Sequence, residues 1–178
     1  MNRGRRHAAA AALLAWMTLL AGCATTRPPP GSDWLTGRLS VKVDASAGQP
    51  VRQISSGFEL RGDAERGELR LTSPLGTLVA TAHWAPGEAR LVGADGEKRY
   101  PDLDALARDA LGEALPLRAL PSWLRGKPWP GADSRATESG FEQLGWQIGL
   151  TRYAEGSLDV TRSSPPAVML RARLEPPT

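Results

Sequence analysis

Gly37-Arg38-Leu39-Ser40-Val41-Lys42-Val43-Asp44 sets Leu39, Val41 and Val43 on one side of the backbone and Arg38, Ser40, Lys42 and Asp44 on the other. A period of two marks a strand with one dry and one wet face. The pattern recurs. Ile54, Phe58 and Leu60 share a parity within 51–61, Leu69 and Leu71 alternate with Glu68, Arg70 and Thr72, and Leu78 and Trp84 share a parity within 77–84. A short strand is expected around 89–92. Turn signals separate these runs at Gly48-Gln49-Pro50, Arg61-Gly62-Asp63, Ala85-Pro86-Gly87 and Ala94-Asp95-Gly96. Strands joined by such short links pair antiparallel. Beyond a Pro/Gly-rich loop through Trp129, Pro130 and Gly131, the alternation returns at Trp146, Ile148 and Leu150, then Leu158 and Val160, then Val168, Leu170 and Leu174.

Between the two sets of strands the period changes. Pro101 suits a first helical position, and Leu103, Leu106, Ala107, Ala110, Leu111 and Ala114 follow one apolar stripe. A second segment, 117–124, is expected to be interrupted by Pro121 and stopped by Gly126. The fold class is therefore mainly β: one domain, a curved antiparallel sheet with a helical insertion at about 101–126 that covers one face.

Upstream of the domain the chain reads as an address. Arg3, Arg5 and Arg6 precede an apolar run from Ala8 to Leu20 and the small pair Ala21-Gly22, the layout of a secretory signal peptide over 1–22. The run falls short of the roughly 20 residues that a membrane-spanning helix needs. Leu20-Ala21-Gly22-Cys23 resembles the lipobox of bacterial lipoproteins, which implies that Cys23 is lipidated and becomes the mature amino terminus. Cys23 is the only cysteine, so no intrachain disulfide forms, and acylation would consume a thiol otherwise left reactive. Residues 23–33 read as a tether. Ala24–Asp33, with Pro28-Pro29-Pro30, reaches roughly 30 Å at about 3.1 Å per residue. Ala24 rather than Asp after the cysteine resembles an outer-membrane sorting signal.

Charge excludes one class. The formal +3 comes from three Arg within residues 1–22, and beyond them 19 basic groups face 19 acidic ones. No basic cluster appears, so nucleic acid is not an expected partner. Neither a Gly-x-x-x-x-Gly-Lys-[Ser/Thr] nor a Gly-x-Gly-x-x-Gly phosphate loop is present, and no cofactor is expected.

Four segments carry a family resemblance: Gly37-Arg38-Leu39-Ser40-Val41, Leu71-Thr72-Ser73-Pro74-Leu75-Gly76-Thr77, Trp123-Leu124-Arg125-Gly126-Lys127-Pro128 and Gly140-Phe141-Glu142-Gln143-Leu144-Gly145-Trp146. In order and spacing they resemble the LolB family of outer-membrane lipoprotein receptors, over most of 35–174. The resemblance implies a partly open antiparallel β-barrel in which a helical lid encloses an apolar cavity. It also implies a function, that of accepting acylated lipoproteins from the periplasmic carrier LolA and placing them in the outer membrane without nucleotide hydrolysis. The implied partners are LolA, the acyl chains of client lipoproteins, and outer-membrane lipid through the protein's own anchor, with the domain facing the periplasm and a monomer expected. The physics suits that function, since each buried CH₂ is worth about 0.8 kcal/mol and an acylated chain needs an escort through water.

Pro74 and Gly76 make a turn between two strands, with Leu75 at its tip. By resemblance, Pro74, Leu75 and Gly76 form the loop that inserts cargo into the membrane. Phe58, Leu69, Leu71, Trp84, Trp123, Trp146 and Ile148 are the expected cavity lining, each on the apolar parity of its strand or on the lid; the alternative for any of them is ordinary core. Two departures from the family stand out. Phe58-Glu59-Leu60 lacks the usual second-strand tryptophan, and Glu175-Pro176-Pro177-Thr178 lacks the usual aromatic strand end, so a different closing edge is expected.

Two rival classes stay open. A hydrolase would have to use His83, the one histidine beyond the signal peptide, whose neighbours Thr77 and Thr81 offer no obvious base or orienting acid. A metal site lacks a short-spaced His or Cys pair, and none is expected. Asp102 with Asp104, and Glu65 with Glu68, read as solvated turn and helix-start charges. The other rival is a structural lipoprotein that binds a partner through an exposed strand or patch.

Overall fold

A computed structural model describes residues 33–45, 50–111 and 115–176. The expected signal peptide, Cys23 and the expected tether up to residue 32 lie outside the described residues. Eleven strands form one antiparallel sheet: β1 (Leu35–Val43), β2 (Arg52–Gly62), β3 (Gly67–Thr72), β4 (Leu78–Ala85), β5 (Glu88–Gly93), β6 (Gly96–Tyr100), β7 (Ser134–Thr137), β8 (Gly140–Gln143), β9 (Trp146–Gly149), β10 (Ser157–Arg162) and β11 (Val168–Leu174). Two helices, α1 (Leu103–Leu111) and α2 (Leu120–Leu124), lie between β6 and β7 in the chain. The sheet order is β6-β5-β4-β3-β2-β1-β11-β10-β9-β8-β7. β6 and β7 do not pair with each other, so the barrel stays open where the helical insertion joins them.

Register carries the periodicity into packing. Leu39 faces Ser56 on one side and Ala172 on the other, and Phe58 sits between Gly37 and Leu71. Phe58 lies over Gly37, where an added Cβ would stand 3.0 Å from the Phe58 ring and 2.2 Å from the Arg173 carbonyl oxygen. Trp84 covers Gly67 in the same manner, with its ring 2.1 Å from where a Cβ would be. The core cluster runs from Leu35 to Leu174, so a chain beginning at Ala24 carries the whole of it.

Four expectations need correction. Leu78 and Trp84 do not share a face: a register shift between Leu71 and Thr72 pairs Leu71 with Ala80 but Thr72 with Leu78, and this bulge turns Leu78 to the polar side. Pro121 does not interrupt α2; it lies in the first turn, where its missing N–H costs nothing, while Gly126 at φ 69° ends the segment as expected. The C-terminal strand is no closing edge, because β11 lies mid-sheet between β1 and β10. Glu68 is not a solvated charge but is buried, at 5% exposure. Asp102 does act at a helix start, its carboxylate accepting the Ala105 N–H at 2.7 Å.

The β8–β9 connection is a two-residue turn, Leu144-Gly145, with Gln143 paired to Trp146. Both residues have positive φ, 54° and 76°, as a type I′ hairpin turn requires. For a leucine that conformation costs about 1–2 kcal/mol.

Candidate functional site

The interior lies between the concave face of the sheet and the two helices. α1 packs on β5 and β6, and α2 packs on β2. Asp109 on α1 accepts a hydrogen bond from the Tyr100 hydroxyl at 2.6 Å and lies 3.6 Å from Lys98 Nζ, a polar latch between the roof and the edge strand. The two groups move apart in acidity: the bond to Asp109 raises the Tyr100 pKa, and the bond from Tyr100 lowers that of Asp109.

All seven expected lining residues enter the same core cluster. Phe58, Trp84, Trp123, Trp146 and Ile148 are buried, while Leu69 and Leu71 are half-buried against it. The Trp123 and Trp146 rings meet 6.3 Å apart at 50°. Here the interior is closed over by its own side chains.

Gln143 holds this closure. It is 2% exposed, and its amide uses all four of its hydrogen-bonding positions. Oε1 accepts from the Trp123 indole at 2.7 Å and from the Trp129 backbone N–H at 2.9 Å. Nε2 donates to the carbonyls of Trp129 and Ala132, both at 2.7 Å. A single side chain on β8 thus fixes the lid tryptophan and the loop that leads back from the lid. The resemblance pointed to this segment; the parity pattern did not, because a glutamine on an apolar face has no hydrophobic signal.

Leu75 occupies the opposite kind of environment. Gly76 N–H donates to the Ser73 carbonyl at 2.9 Å, Ser73 N–H to the Thr77 carbonyl at 2.8 Å, and Thr77 N–H to Ser73 Oγ at 3.2 Å. Pro74 and Leu75 are the central residues of that turn, and Gly76 closes it at φ 83° with nothing within 4 Å of its missing Cβ. The outcome is a leucine held 94% exposed by a rigid, hydrogen-bonded loop.

A concavity of about 1280 Å³ opens on the other face of the sheet. Arg38, Ser40, Gly57, Arg70 and Thr72 line it, and of the seven expected cavity residues only Phe58 borders it. Glu68 belongs to this face. It accepts from Arg61 Nη2 at 2.5 Å and Arg70 Nε at 2.7 Å, and both guanidiniums lie over the Trp34 ring, at 4.8 and 4.6 Å. His83 Nδ1 stands 4.0 Å from the same carboxylate. Among the described residues no group of three His, Cys, Asp or Glu could hold a metal ion.

Burial pushes the Glu68 carboxyl up, but the hydrogen bonds from Arg70 and Arg61 outweigh it and hold the pKa below the ordinary glutamate value. The backbone N–H groups of Arg66 and Glu65 lower that of Asp63. For a carboxyl depressed on folding, the stabilisation is present above the unfolded pKa, near 4 for these acids, and disappears as pH falls through the folded value. The melting temperature is therefore expected to level off above about pH 5 and to fall below about pH 4. Glu68→Gln should flatten that acid limb, which a pH series of thermal melts measures directly.

No described helix is long and apolar enough to cross a membrane. The profile of the family Outer membrane lipoprotein LolB matches residues 33–173. A relative from Bordetella petrii with the name Outer-membrane lipoprotein LolB is 37% identical over 83% of this chain and 81% of its own length. One of the same name from Chromobacterium violaceum is 36% identical over 83% and 84%. With an open eleven-stranded sheet, a helical roof and matches over most of their length, the chain belongs to the LolB family of outer membrane lipoproteins.

Proposed function

We propose that this protein is a receptor at the outer membrane that takes acylated lipoproteins from the periplasmic carrier LolA and releases them into the bilayer, with no enzymatic step. The observation that carries the reading is the roof. The apolar interior is covered by short helices rather than by further strands, so it can open without breaking the sheet ladder. Acyl chains would then replace the contacts that Trp123 and its neighbours make in the closed form. Transfer runs downhill in affinity, from carrier to receptor to bilayer, because each step exposes no more apolar chain to water than the one before it.

The parts divide the work. Phe58, Leu69, Leu71, Trp84, Trp123, Trp146 and Ile148 would receive the acyl chains; Leu75, presented by Pro74 and Gly76, would enter the bilayer; lipidated Cys23 would keep the domain at the membrane. The test is a photo-crosslinker in place of Phe58 or Ile148, with Arg99 on the exposed edge strand as control. Crosslinks to an acylated client should form at the two interior positions and be absent at Arg99. Equal labelling at all three would refute the interior as the binding site.

A further inference from the structure

The large apolar side chains left exposed among the described residues gather at one end of the sheet. Leu75 tips the β3–β4 turn, Leu144 tips the β8–β9 turn, and Val51, Ile54, Leu78 and Val79 stand near strand ends on the same side. Leu144 is the anomaly. Its backbone sits in the left-handed region that asparagine or glycine prefers in this turn, and its side chain is 48% exposed and outside the packed core. Both features oppose folding. A strained backbone that presents an apolar group to water points to a contact outside the fold.

We infer that Leu144 is a second point of contact with the bilayer, acting together with Leu75. The inference rests on reading Leu75 as the membrane-entering residue. From β3 to β9 the sheet crosses β2, β1, β11 and β10, five strand spacings of about 4.8 Å, and each turn adds half a spacing beyond, so the two tips stand about 29 Å apart along the curve. Ser73, Pro74 and Gly76 surround Leu75, and Leu144 lines a groove with the polar side chains of Asp133, Arg135 and Glu142, so the two leucines are separate apolar points with polar groups near them. A protein partner needs a continuous packed patch around its anchor residues. A bilayer accepts separate apolar side chains and wets the polar groups beside them. One inserted residue leaves the domain free to pivot; two define an axis and fix how the sheet end meets the membrane.

The domain from Ala24 onward contains no cysteine, so Leu144→Cys and Leu75→Cys each give one thiol for an environment-sensitive dye. With phosphatidylethanolamine–phosphatidylglycerol vesicles and no carrier, both dyes should shift to the blue and brighten. Leu144→Asn should raise the melting temperature by about 2–4 °C, since the strain is relieved, while vesicle partitioning falls about tenfold. A response at position 75 with none at 144 would overturn the second contact and leave the reading of Leu75 standing. Silence at both positions would overturn that reading as well. A dye at 144 that responds to LolA but not to vesicles, or a lower melting temperature for Leu144→Asn, would also count against the inference.

Discussion

Leu75→Glu is expected to leave folding and uptake of client lipoprotein unchanged and to slow delivery into vesicles about 100-fold. The side chain makes no demand on the fold, because it is 94% exposed and its turn is held by Ser73, Gly76 and Thr77 rather than by the leucine. Burying a leucine is worth about 1.5–3 kcal/mol, and a glutamate forfeits that gain while bringing a charge to the membrane. A loss of about 2.7 kcal/mol corresponds to 100-fold. The separation of the two steps is the informative part. Equal loss of uptake would place Leu75 on the carrier-docking path, and normal delivery would remove it from the mechanism.

The second large effect concerns stability. Gln143→Leu should cost about 3–5 kcal/mol, because four polar groups lose their partner at once: the Trp123 indole N–H, the Trp129 N–H, and the carbonyls of Trp129 and Ala132. Each buried group left unpaired costs about 1–3 kcal/mol, with the loop end able to recover some of that from water. A domain of this size would melt about 10 °C lower. Gln147→Leu, on the exposed side of the next strand, is the control and should change stability by no more than about 0.5 kcal/mol. Similar melting of the two variants would mean that Gln143 does not hold the lid.

Much of this fold was legible in the alternation of apolar residues, and the limits of that signal have physical causes. The run around Leu39 and Val41 shows itself because one face of β1 is dry. β6, Gly-Glu-Lys-Arg-Tyr, carries no alternation because it is an edge strand whose side chains are almost all exposed, and its charges protect the open edge from pairing with another chain. β7 escapes notice for the same reason. Parity failed at Leu78 because a one-residue bulge reverses every face beyond it, and nothing in the sequence marks the bulge. Glu68 could not be identified as buried from its own strand alone: Arg70 stands two residues away on the same face, but Arg61 meets the carboxylate only after β2 and β3 pair.

The site was legible in part. Pro74 and Gly76 announced a turn, and Leu75 at its tip needed only the chain's local chemistry to be placed in water. Trp123 and Trp146 were recognisable as interior residues, but their arrangement depends on Gln143, whose role exists only in three dimensions. Leu144 gave no sign at all, because its strain is a property of the hairpin geometry rather than of residue type.

The most direct test of the receptor mechanism is a transfer assay with the domain from Ala24 onward and an acylated lipoprotein held by LolA, with no nucleotide present. The mechanism predicts that the client moves from the carrier to the domain and can be recovered in complex with it. Retention on the carrier, with a domain shown to be folded and a cognate LolA, would contradict the receptor function and leave a structural lipoprotein of the same fold.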